Sequence, residues 1–284
     1  MVELNGVSLS NNLMNNLKTK LNESNKIINF TCILIGNDPA SEVYINNKKK
    51  QCEVIGIQFN LIKLESSISE TFLIEKICEI NNDTNINAYI IQLPLPKHIN
   101  KENIVKFIDP KKDVDCFHAE NIGNIILDKP RFFPATPYGI CLLLDNYNIE
   151  TKGKNITIIG KSNIVGNLLS LMLSNENTYK GTVTTCDKYT ENLKFHVENA
   201  EILIVAAGVH NLIDSKYTVK SSCTMIDVGI HRIQDNSKKN GFRLEGDIDF
   251  NYFKDKCKYI TPVPGGVGPM TVYSLLYNII NSVL

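Results

Sequence analysis

The sequence lacks the features that mark several common classes of protein. Its 30 basic and 30 acidic residues give a formal net charge of zero, so there is no global electrostatic basis for binding nucleic acid or an anionic membrane. The longest apolar runs, such as residues 200–208, are too short to span a bilayer. Residues 1–6 contain neither the basic nor the apolar region of a secretory signal. These absences favour a soluble cytoplasmic protein, although the sequence leaves an organelle open.

Cysteine is present, but not in a pattern that binds metal. The eight cysteines are scattered along the chain, and no two form a C-x-x-C pair. This spacing argues against a structural zinc site and against a disulfide framework. We therefore expect no metal, and we expect most of the cysteines to be small buried side chains in a reducing compartment.

The length and the pattern of apolar residues indicate two α/β domains. A chain of 284 residues is long for one hydrophobic core. Apolar runs typical of strands alternate with helical patterns, which predicts βαβ units and mostly parallel sheets. The predicted strands cover residues 30–35, 58–63, 88–93, 155–159, 181–185, 201–205, 224–228 and 258–261. The predicted helices cover residues 41–55, 69–81 and 164–174, the domain boundary is predicted near residues 137–139, and segment 235–241 is predicted as a hairpin tip.

The second half contains a strand, a glycine turn and a helix in succession. Gly160, Ser162 and Gly166 follow the apolar run 155–159. Glycines in this context bring backbone amides close to a pyrophosphate at a helix start. The spacing G-x-S-x-x-x-G departs from G-x-G-x-x-G, so nucleotide binding and ordinary packing of strand on helix both stay open.

The residues after the next strands bear on the choice of nucleotide. An acidic residue such as Asp187 suits the ribose hydroxyls of NAD, whereas Lys161 and Lys188 suit the extra phosphate of NADP. Charge alone leaves that choice open. The strand ends at 205–208 and 227–230 also contain glycine and are expected at the same carboxyl edge of the sheet.

The first half contains polar side chains that suit acid–base chemistry. Tyr44 and Lys48 are four residues apart on a predicted helix and share a face. A partly desolvated lysine beside a phenol can take part in proton transfer, although the run 48–50 also fits a solvated lysine surface. Gln92 ends a predicted strand, where ligands bind in such sheets. Asp113 and Asp115 lie in a polar loop, for which turns and caps are the default interpretation.

Residues 260–271 contain three prolines and three glycines. Such a segment cannot continue a helix or a strand, and it is rigid at some points and bare at others. Pro269 is predicted at the first position of the last helix, whose free amides could hold a polar or anionic group. The alternative is a tight connection between elements with no ligand.

These motifs occur together in one order along the chain. They are Tyr44-x-x-x-Lys48, Gln92-Leu-Pro-Leu-Pro96, Asp109-Pro-Lys-Lys-Asp-Val-Asp115, Thr136-Pro-x-Gly139, Gly160-x-Ser-Asn-Ile-Val-Gly166, Asp227-Val-Gly229, Gly246-Asp-Ile-Asp-Phe250 and the segment 261–271. The ordered set resembles the bifunctional methylenetetrahydrofolate dehydrogenase/cyclohydrolase family over nearly the whole chain.

The resemblance implies a function in one-carbon metabolism and purine biosynthesis. Members of that family oxidise 5,10-methylenetetrahydrofolate by hydride transfer to a nicotinamide and hydrolyse the methenyl product to 10-formyltetrahydrofolate. Lys48 matches the lysine that manages proton transfer in hydrolysis, and Tyr44 matches the residue that orients the folate. Gln92 matches the partner that holds the lysine, and Asp115 matches the carboxylate that binds the pterin. These four are the predicted catalytic residues.

The resemblance also implies the architecture and the ligand-binding residues. The expected domains are a folate-binding catalytic domain, 1–138 with 264–284, and a Rossmann-type domain, 139–263, with the active-site cleft between them. The expected cofactor is NADP, with NAD possible, and the expected assembly is a homodimer. The predicted substrate-binding residues are Tyr44, Lys48, Gln92, Leu93, Pro94, Asp115, Pro264, Gly265, Gly266 and Thr271. The predicted cofactor-binding residues are Gly160, Lys161, Ser162, Val165, Gly166, Asp187, Lys188, Ala207, Gly208, Gly229 and Ile230.

Some positions depart from the family pattern. Cys116 stands where glycine is usual, so its Cβ is expected to alter the turn that presents Asp115. Lys161 replaces a frequent arginine, and Asp187 and Lys188 replace a usual His-Ser pair. An NAD-dependent or dehydrogenase-dominant member of the family is therefore the first alternative, and a non-catalytic Rossmann-type binding protein is the remote one.

Overall fold

The structure is a computed structural model that describes residues 1–238 and 241–284. The chain divides into two compact units, each built from two segments. Unit 1 comprises Met1–Asn11 and Ala135–Thr271, and unit 2 comprises Asn12–Pro134 and Val272–Leu284. The divisions after Asn11 and after Thr271 fall inside the first and the last helix of the chain. Each of these two helices therefore contributes residues to both units.

The elements alternate between strands and helices as the sequence predicts. The strands are β1 (Val2–Glu3), β2 (Asn29–Ile35), β3 (Gln58–Leu64), β4 (Ala88–Ile91), β5 (Asn155–Ile159), β6 (Thr182–Cys186), β7 (Ile202–Val205), β8 (Thr224–Asp227), β9 (His231–Gln234), β10 (Phe242–Glu245) and β11 (Tyr259–Ile260). The helices are α1 (Gly6–Ser24), α2 (Pro39–Ile55), α3 (Glu70–Asn82), α4 (Lys101–Val105), α5 (Ala119–Ile126), α6 (Ala135–Asn146), α7 (Gly166–Ser174), α8 (Leu193–Asn199), α9 (Phe250–Phe253) and α10 (Val267–Asn281).

Unit 2 is organised around a three-stranded parallel sheet in the order β3-β2-β4. The central strand β2 is buried along nearly its whole length, which explains its continuous apolar sequence. Local signals define α2: the Asp38 side chain accepts from the Ser41 amide, Pro39 is in the first turn, and Gly56 ends the helix with φ 99°. The side chains between α3 and the sheet form the core of this unit.

Unit 1 is organised around a six-stranded sheet in the order β1-β11-β8-β7-β5-β6, with all pairings parallel. From β5 the chain moves outward to β6 and then returns to β7 on the other side of β5. This reversal creates a topological switch point at the carboxyl ends of β5 and β7, where open α/β sheets bind ligands. Apolar side chains from the sheet and from α8 and α9 form the core beside it.

The predicted strands are all present, with ends that move by up to two residues, and β9 and β10 form an antiparallel hairpin. Lys239 and Asn240 of the predicted hairpin tip lie outside the described residues. The prediction for the last helix is wrong at its start, since α10 begins at Val267 and Pro269 is its third residue. The sequence does not predict β1, which has only two residues and exists by pairing with β11.

The compact units and the predicted domains differ at the chain ends. Residues 1–11 and 264–271 are predicted with the folate-binding domain, whereas they group with the six-stranded sheet of unit 1. The reason at the amino terminus is local pairing, because β1 hydrogen-bonds to β11. Which domain binds which ligand stays a prediction. Among the described residues, no helix is long and apolar enough to cross a membrane.

Candidate active site

Helix α2 and strand β4 bring the predicted lysine and glutamine of unit 2 together. Lys48 Nζ donates a hydrogen bond to Gln92 Oε1 over 3.0 Å. Gln92 Nε2 donates to the Leu93 carbonyl oxygen over 2.8 Å. Because the amide nitrogen is already committed to a carbonyl, the amide oxygen is the atom that faces the ammonium. Lys48 and Gln92 are half-buried, whereas Tyr44, one helical turn earlier, is 53% exposed.

Asp115 lies in a field of two lysines. Burial raises the pKa of Asp115, and the charges of Lys48 and Lys101 oppose that rise. Burial in turn lowers the pKa of Lys101, against the charges of Glu102 and Asp115. Lys101 Nζ lies 4.7 Å from the centre of the Phe117 ring, in the loop that contains Asp115. The sequence does not single out Lys101, because an isolated lysine at a helix start has no distinguishing pattern.

Asp113 holds the loop that contains Asp115. Its two carboxylate oxygens accept hydrogen bonds from the Phe117 amide at 3.1 Å, the His118 amide at 2.8 Å and Asn121 Nδ2 at 2.8 Å. Burial raises the pKa of Asp113 to about 6, against these hydrogen bonds. Of the two aspartates, Asp113 is thus a structural anchor, and Asp115 is the one on whose pKa the charges of Lys48 and Lys101 act.

Cys116 takes the left-handed backbone conformation that the usual glycine would favour, with φ 59°. Its side chain is fully buried, and Sγ donates to the Phe132 carbonyl oxygen at 3.4 Å. This contact ties the turn to residue 132, and a parallel bridge ties Asp113 to Tyr89 of β4. The effect of the cysteine on the substrate stays a prediction.

In unit 1, the turn after β5 requires glycine at two positions. Gly160 has φ 118°, and a Cβ added there would overlap the Ala206 carbonyl oxygen. A Cβ on Gly166 would overlap the Gly160 carbonyl oxygen. Ser162 Oγ accepts from the Val165 amide at 3.1 Å and so closes the turn before α7. The resulting cradle lies at the switch point and has the bare backbone that a pyrophosphate needs.

The groups that bear on nucleotide choice are paired with each other. Lys161 Nζ lies 3.5 Å from Asp187 Oδ2. The pKa of Asp187 is lowered, chiefly by the hydrogen bond from the Tyr189 amide and further by Lys161. Lys188 Nζ lies 4.9 Å from the centre of the Tyr189 ring. The structure therefore brings both kinds of predicted group to the end of β6.

Two buried aspartates anchor the other strand ends. Asp247 Oδ2 accepts hydrogen bonds from the amides of Ala207 and Gly208 at 2.7 and 2.9 Å. Asp227 Oδ1 accepts from the Gly229 amide at 3.0 Å. Three predicted cofactor-binding residues, Ala207, Gly208 and Gly229, thus donate their amides to carboxylates to which the sequence assigns no role. Ile230, the fourth at this edge, is 49% exposed.

The proline- and glycine-rich segment lines a half-open pocket of about 330 Å³ within unit 1. Its walls combine predicted cofactor-binding residues, Gly229 and Ile230, with predicted substrate-binding residues, Pro264, Gly265 and Gly266. Thr271 Oγ1 lies 3.1 Å from Thr136 Oγ1, at the start of α6. The segment therefore forms one wall of a pocket large enough for part of a ligand.

Two peptide bonds before proline are cis: Leu93–Pro94 of unit 2 and Val263–Pro264 of unit 1.

The parallel sheet, its switch point and the glycine cradle define unit 1 as a Rossmann-type nucleotide-binding domain. Two family models match the chain: the catalytic domain of tetrahydrofolate dehydrogenase/cyclohydrolase over residues 4–115, and the NAD(P)-binding domain of the same enzyme over residues 134–284. The chain belongs to the tetrahydrofolate dehydrogenase/cyclohydrolase family, as the sequence motifs predict.

Individual relatives agree with that assignment over almost the full length. The bifunctional protein FolD of Cytophaga hutchinsonii is 44% identical over 280 residues, which are 97% of this chain and 96% of the relative. The FolD of Amoebophilus asiaticus is 46% identical over 272 residues, 95% of this chain and 91% of the relative.

Solved structures are similar to the same extent. The bifunctional FolD from Campylobacter jejuni has a TM-score of 0.92 at 39% identity and covers 99% of this chain and 98% of its own. The FolD of Trypanosoma brucei, solved with NADP cofactor and an inhibitor, has a TM-score of 0.92 at 28% identity and covers 99% of this chain and 97% of its own. The α/β fold of both domains is therefore confirmed.

Proposed function

We propose that the protein oxidises 5,10-methylenetetrahydrofolate to the methenyl form with NADP and hydrolyses the methenyl form to 10-formyltetrahydrofolate. Family membership supports both activities. The observation that carries the hydrolytic assignment is the 3.0 Å hydrogen bond between Lys48 and Gln92 on the predicted folate side.

Lys48 performs the proton transfers of hydrolysis in this proposal. Its hydrogen bond to Gln92 holds Nζ in one place, and Gln92 is itself held by its backbone amide, which donates to the Ile33 carbonyl oxygen at 2.9 Å. Water that adds to the methenyl cation loses one proton to solvent. As the carbon–nitrogen bond breaks, the hydroxyl proton leaves to form the formyl C=O, and the departing ring nitrogen gains a proton. A positioned amine that relays this proton contributes through general acid–base catalysis.

Tyr44 and Asp115 bind and orient the folate in the same proposal. The exposed ring of Tyr44 offers a flat surface on the helix turn next to Lys48. The Asp115 carboxylate, kept in a field of two lysines, accepts hydrogen bonds from the amino and amide groups of the pterin ring. Neither residue takes part in bond breaking.

Unit 1 binds the dinucleotide through its backbone. The cradle of Gly160 and Gly166 has no room for a Cβ and fits a pyrophosphate at the start of α7. When bound, the nicotinamide supplies the hydride acceptor, and the protein aligns the two carbons. Lys161 and Lys188 are the groups that would meet the 2′-phosphate of NADP. The ion pair between Lys161 and Asp187 favours NAD as the second candidate, because a carboxylate at this position suits ribose hydroxyls.

One assay tests the proposal. Purified protein is incubated with methylenetetrahydrofolate and either NADP or NAD, while nicotinamide reduction and decay of the methenyl form are followed separately. We expect reduction with NADP and hydrolysis of added methenyltetrahydrofolate. Absence of reduction with both nucleotides would disprove the dehydrogenase assignment. Equal turnover with NAD would disprove the role of Lys161 and Lys188 in binding the 2′-phosphate.

The family resemblance also leads us to propose a homodimer and a cytoplasmic location. Light scattering checks the homodimer.

A further inference from the structure

Two buried carboxylates of unit 1 bond to the loops that follow its strands. Asp227 is 3% exposed and Asp247 is 0% exposed. Buried carboxylates are expensive unless they accept hydrogen bonds, so their partners indicate what they are for. The partners here are mostly backbone amides of the loops that follow the strands.

The Asp247 side chain bonds to the loop after β7 and to a histidine of β9. One carboxylate oxygen, Oδ2, accepts the amides of Ala207 and Gly208, at 2.7 and 2.9 Å. The other, Oδ1, lies 2.7 Å from His231 Nε2. His231 in turn stacks edge-on against His210, with ring centres 5.6 Å apart. The two amides after β7 are therefore fully occupied, and the loop is held in one conformation from the protein side.

Asp227 holds Asp247 in place. Asp227 Oδ1 accepts the Asp247 amide at 2.9 Å, and Asp227 Oδ2 accepts the Ile248 amide at 2.8 Å. The Asp227 amide donates to Thr261 Oγ1 at 2.7 Å. Together with the bond to the Gly229 amide, the two aspartates connect the segments after β7, β8 and β11 with the segment before α9.

Two glycines allow the carboxylates to sit this close to the backbone. A Cβ on Gly229 would overlap Asp247 Oδ1, and a Cβ on Gly246 would overlap Asp227 Oδ2. Gly229 is a predicted cofactor-binding residue, yet the atom that requires its bareness is a carboxylate of the protein. Gly229 therefore makes room for the Asp247 carboxylate, which in turn holds the loop of Ala207 and Gly208.

We propose that Asp247 is a positioning residue for the nicotinamide cofactor, acting through the amides of Ala207 and Gly208. The inference rests on the proposed cofactor role of that loop. Loss of the carboxylate leaves two buried amides without an acceptor, and the loop relaxes to recover hydrogen bonds. The relaxed loop would then hold the nicotinamide less accurately, which lowers the rate of hydride transfer and raises the KM for NADP. A displacement of about 1 Å can cost roughly a hundredfold in turnover. Hydrolysis of methenyltetrahydrofolate needs no hydride acceptor and is spared.

The experiment compares both activities in Asp247→Ala, Asp247→Asn and a matched control. We expect Asp247→Ala to lower dehydrogenase turnover per KM for NADP by roughly a hundredfold, with cyclohydrolase activity on added methenyltetrahydrofolate within twofold of wild type. Asn keeps an oxygen that accepts both amides, so Asp247→Asn should restore most of the loss. The control is Asp249→Ala, two residues away, which removes only the acceptor for the Tyr252 amide at the start of α9 and should leave the KM for NADP unchanged.

The two activities separate the possible failures. If the wild type neither binds nor reduces NADP, the proposed function fails and the inference with it. If the wild type reduces NADP and Asp247→Ala has an unchanged KM, or loses both activities in parallel while folded, the positioning role is overturned. If circular dichroism shows that Asp247→Ala does not fold, Asp247→Ser decides by the same ratio of activities, and an unchanged KM for NADP in that variant overturns the proposal.

Discussion

The predicted functional groups of the two units differ in kind: those of unit 2 are side chains, and many of those of unit 1 are backbone groups. In unit 2 the groups are side chains, half-buried or exposed, and the contact that organises them is the one between Lys48 and Gln92. In unit 1 many of the groups are backbone amides and bare glycines, and the amides of Ala207, Gly208 and Gly229 donate to the buried Asp247 and Asp227.

This difference follows from the chemistry assigned to each unit. Proton transfer needs a titratable side chain that reaches the substrate, so the lysine has to remain partly accessible. Binding a pyrophosphate and aligning a nicotinamide need fixed backbone, so the side chains that matter most are those that hold the backbone and face away from the ligand. Substitutions should therefore affect unit 2 through lost chemistry and unit 1 through lost geometry.

The largest expected effect concerns the lysine of unit 2. Lys48→Met keeps the length of the side chain and removes the ammonium, so hydrolysis of methenyltetrahydrofolate should fall by about 10²- to 10⁴-fold, the usual contribution of general acid–base catalysis. NADP affinity, measured by fluorescence titration, should stay the same. Lys49→Met is the matched control, since Lys49 is exposed and only 3.9 Å from Glu53 in a weak ion pair. Hydrolysis retained in Lys48→Met would refute the assigned role.

The next effect concerns the glycine cradle of unit 1. Gly160→Ala places a Cβ against the Ala206 carbonyl oxygen and forces φ 118° on an L-residue, so NADP affinity should fall roughly a hundredfold while hydrolysis persists. Gly153→Ala is the control: Gly153 has φ 69° but nothing within 4 Å of its added Cβ, so it should cost only about 1 kcal/mol in stability. Equal NADP affinity in both variants would mean that this turn does not contact the cofactor.

The smallest effect concerns the buried carboxylate of unit 1 and pH. Burial raises the pKa of Asp227 to about 7, against hydrogen bonds from three backbone amides. A folded pKa above the unfolded one means that the folded state binds the extra proton, so this contribution to stability is complete below about pH 4 and is lost as pH rises towards 7. Asp227→Asn should reduce the pH slope of the unfolding free energy between pH 5 and 7 by up to about 1.4 kcal/mol per pH unit.

Urea denaturation at several pH values measures that slope. The control is Asp214→Asn, because a hydrogen bond from the Lys216 amide lowers the pKa of Asp214 and keeps it ionised across the same window. If the slope is the same in Asp227→Asn and in wild type, the three amide hydrogen bonds outweigh burial and Asp227 is ionised throughout.

Much of the fold can be predicted because its signals are local. The helix predicted over residues 41–55 is present as α2, and it begins two residues earlier because Asp38 caps it and Pro39 lies in its first turn. The start of α10 could not be predicted from Pro269, since Val267 and Gly268 also adopt helical geometry before it. Strand β1 has two residues and no pattern of its own, so only its partner β11 defines it.

The candidate site divides in the same way. Lys48, Gln92 and Asp115 stand out in the sequence because their motifs are distinctive in spacing and order. Lys101 and Asp113 do not, because the first has no pattern and the second resembles any aspartate in a turn. Their roles depend on distances to residues 14 and more positions away, such as the field of Lys101 on Asp115, or on hydrogen bonds that only the folded loop makes.

The sequence by itself determined the family, the alternation of strands and helices, and the residue types available for proton transfer and for binding a dinucleotide. These properties depend on order and periodicity, which the chain has before it folds. The family resemblance implied that Gln92 holds Lys48, but only the tertiary structure shows that Nζ meets Oε1 of Gln92, and that Gly229 is bare because Asp247 lies against it. Such contacts join residues distant in the chain, and only packing brings those atoms within hydrogen-bonding distance.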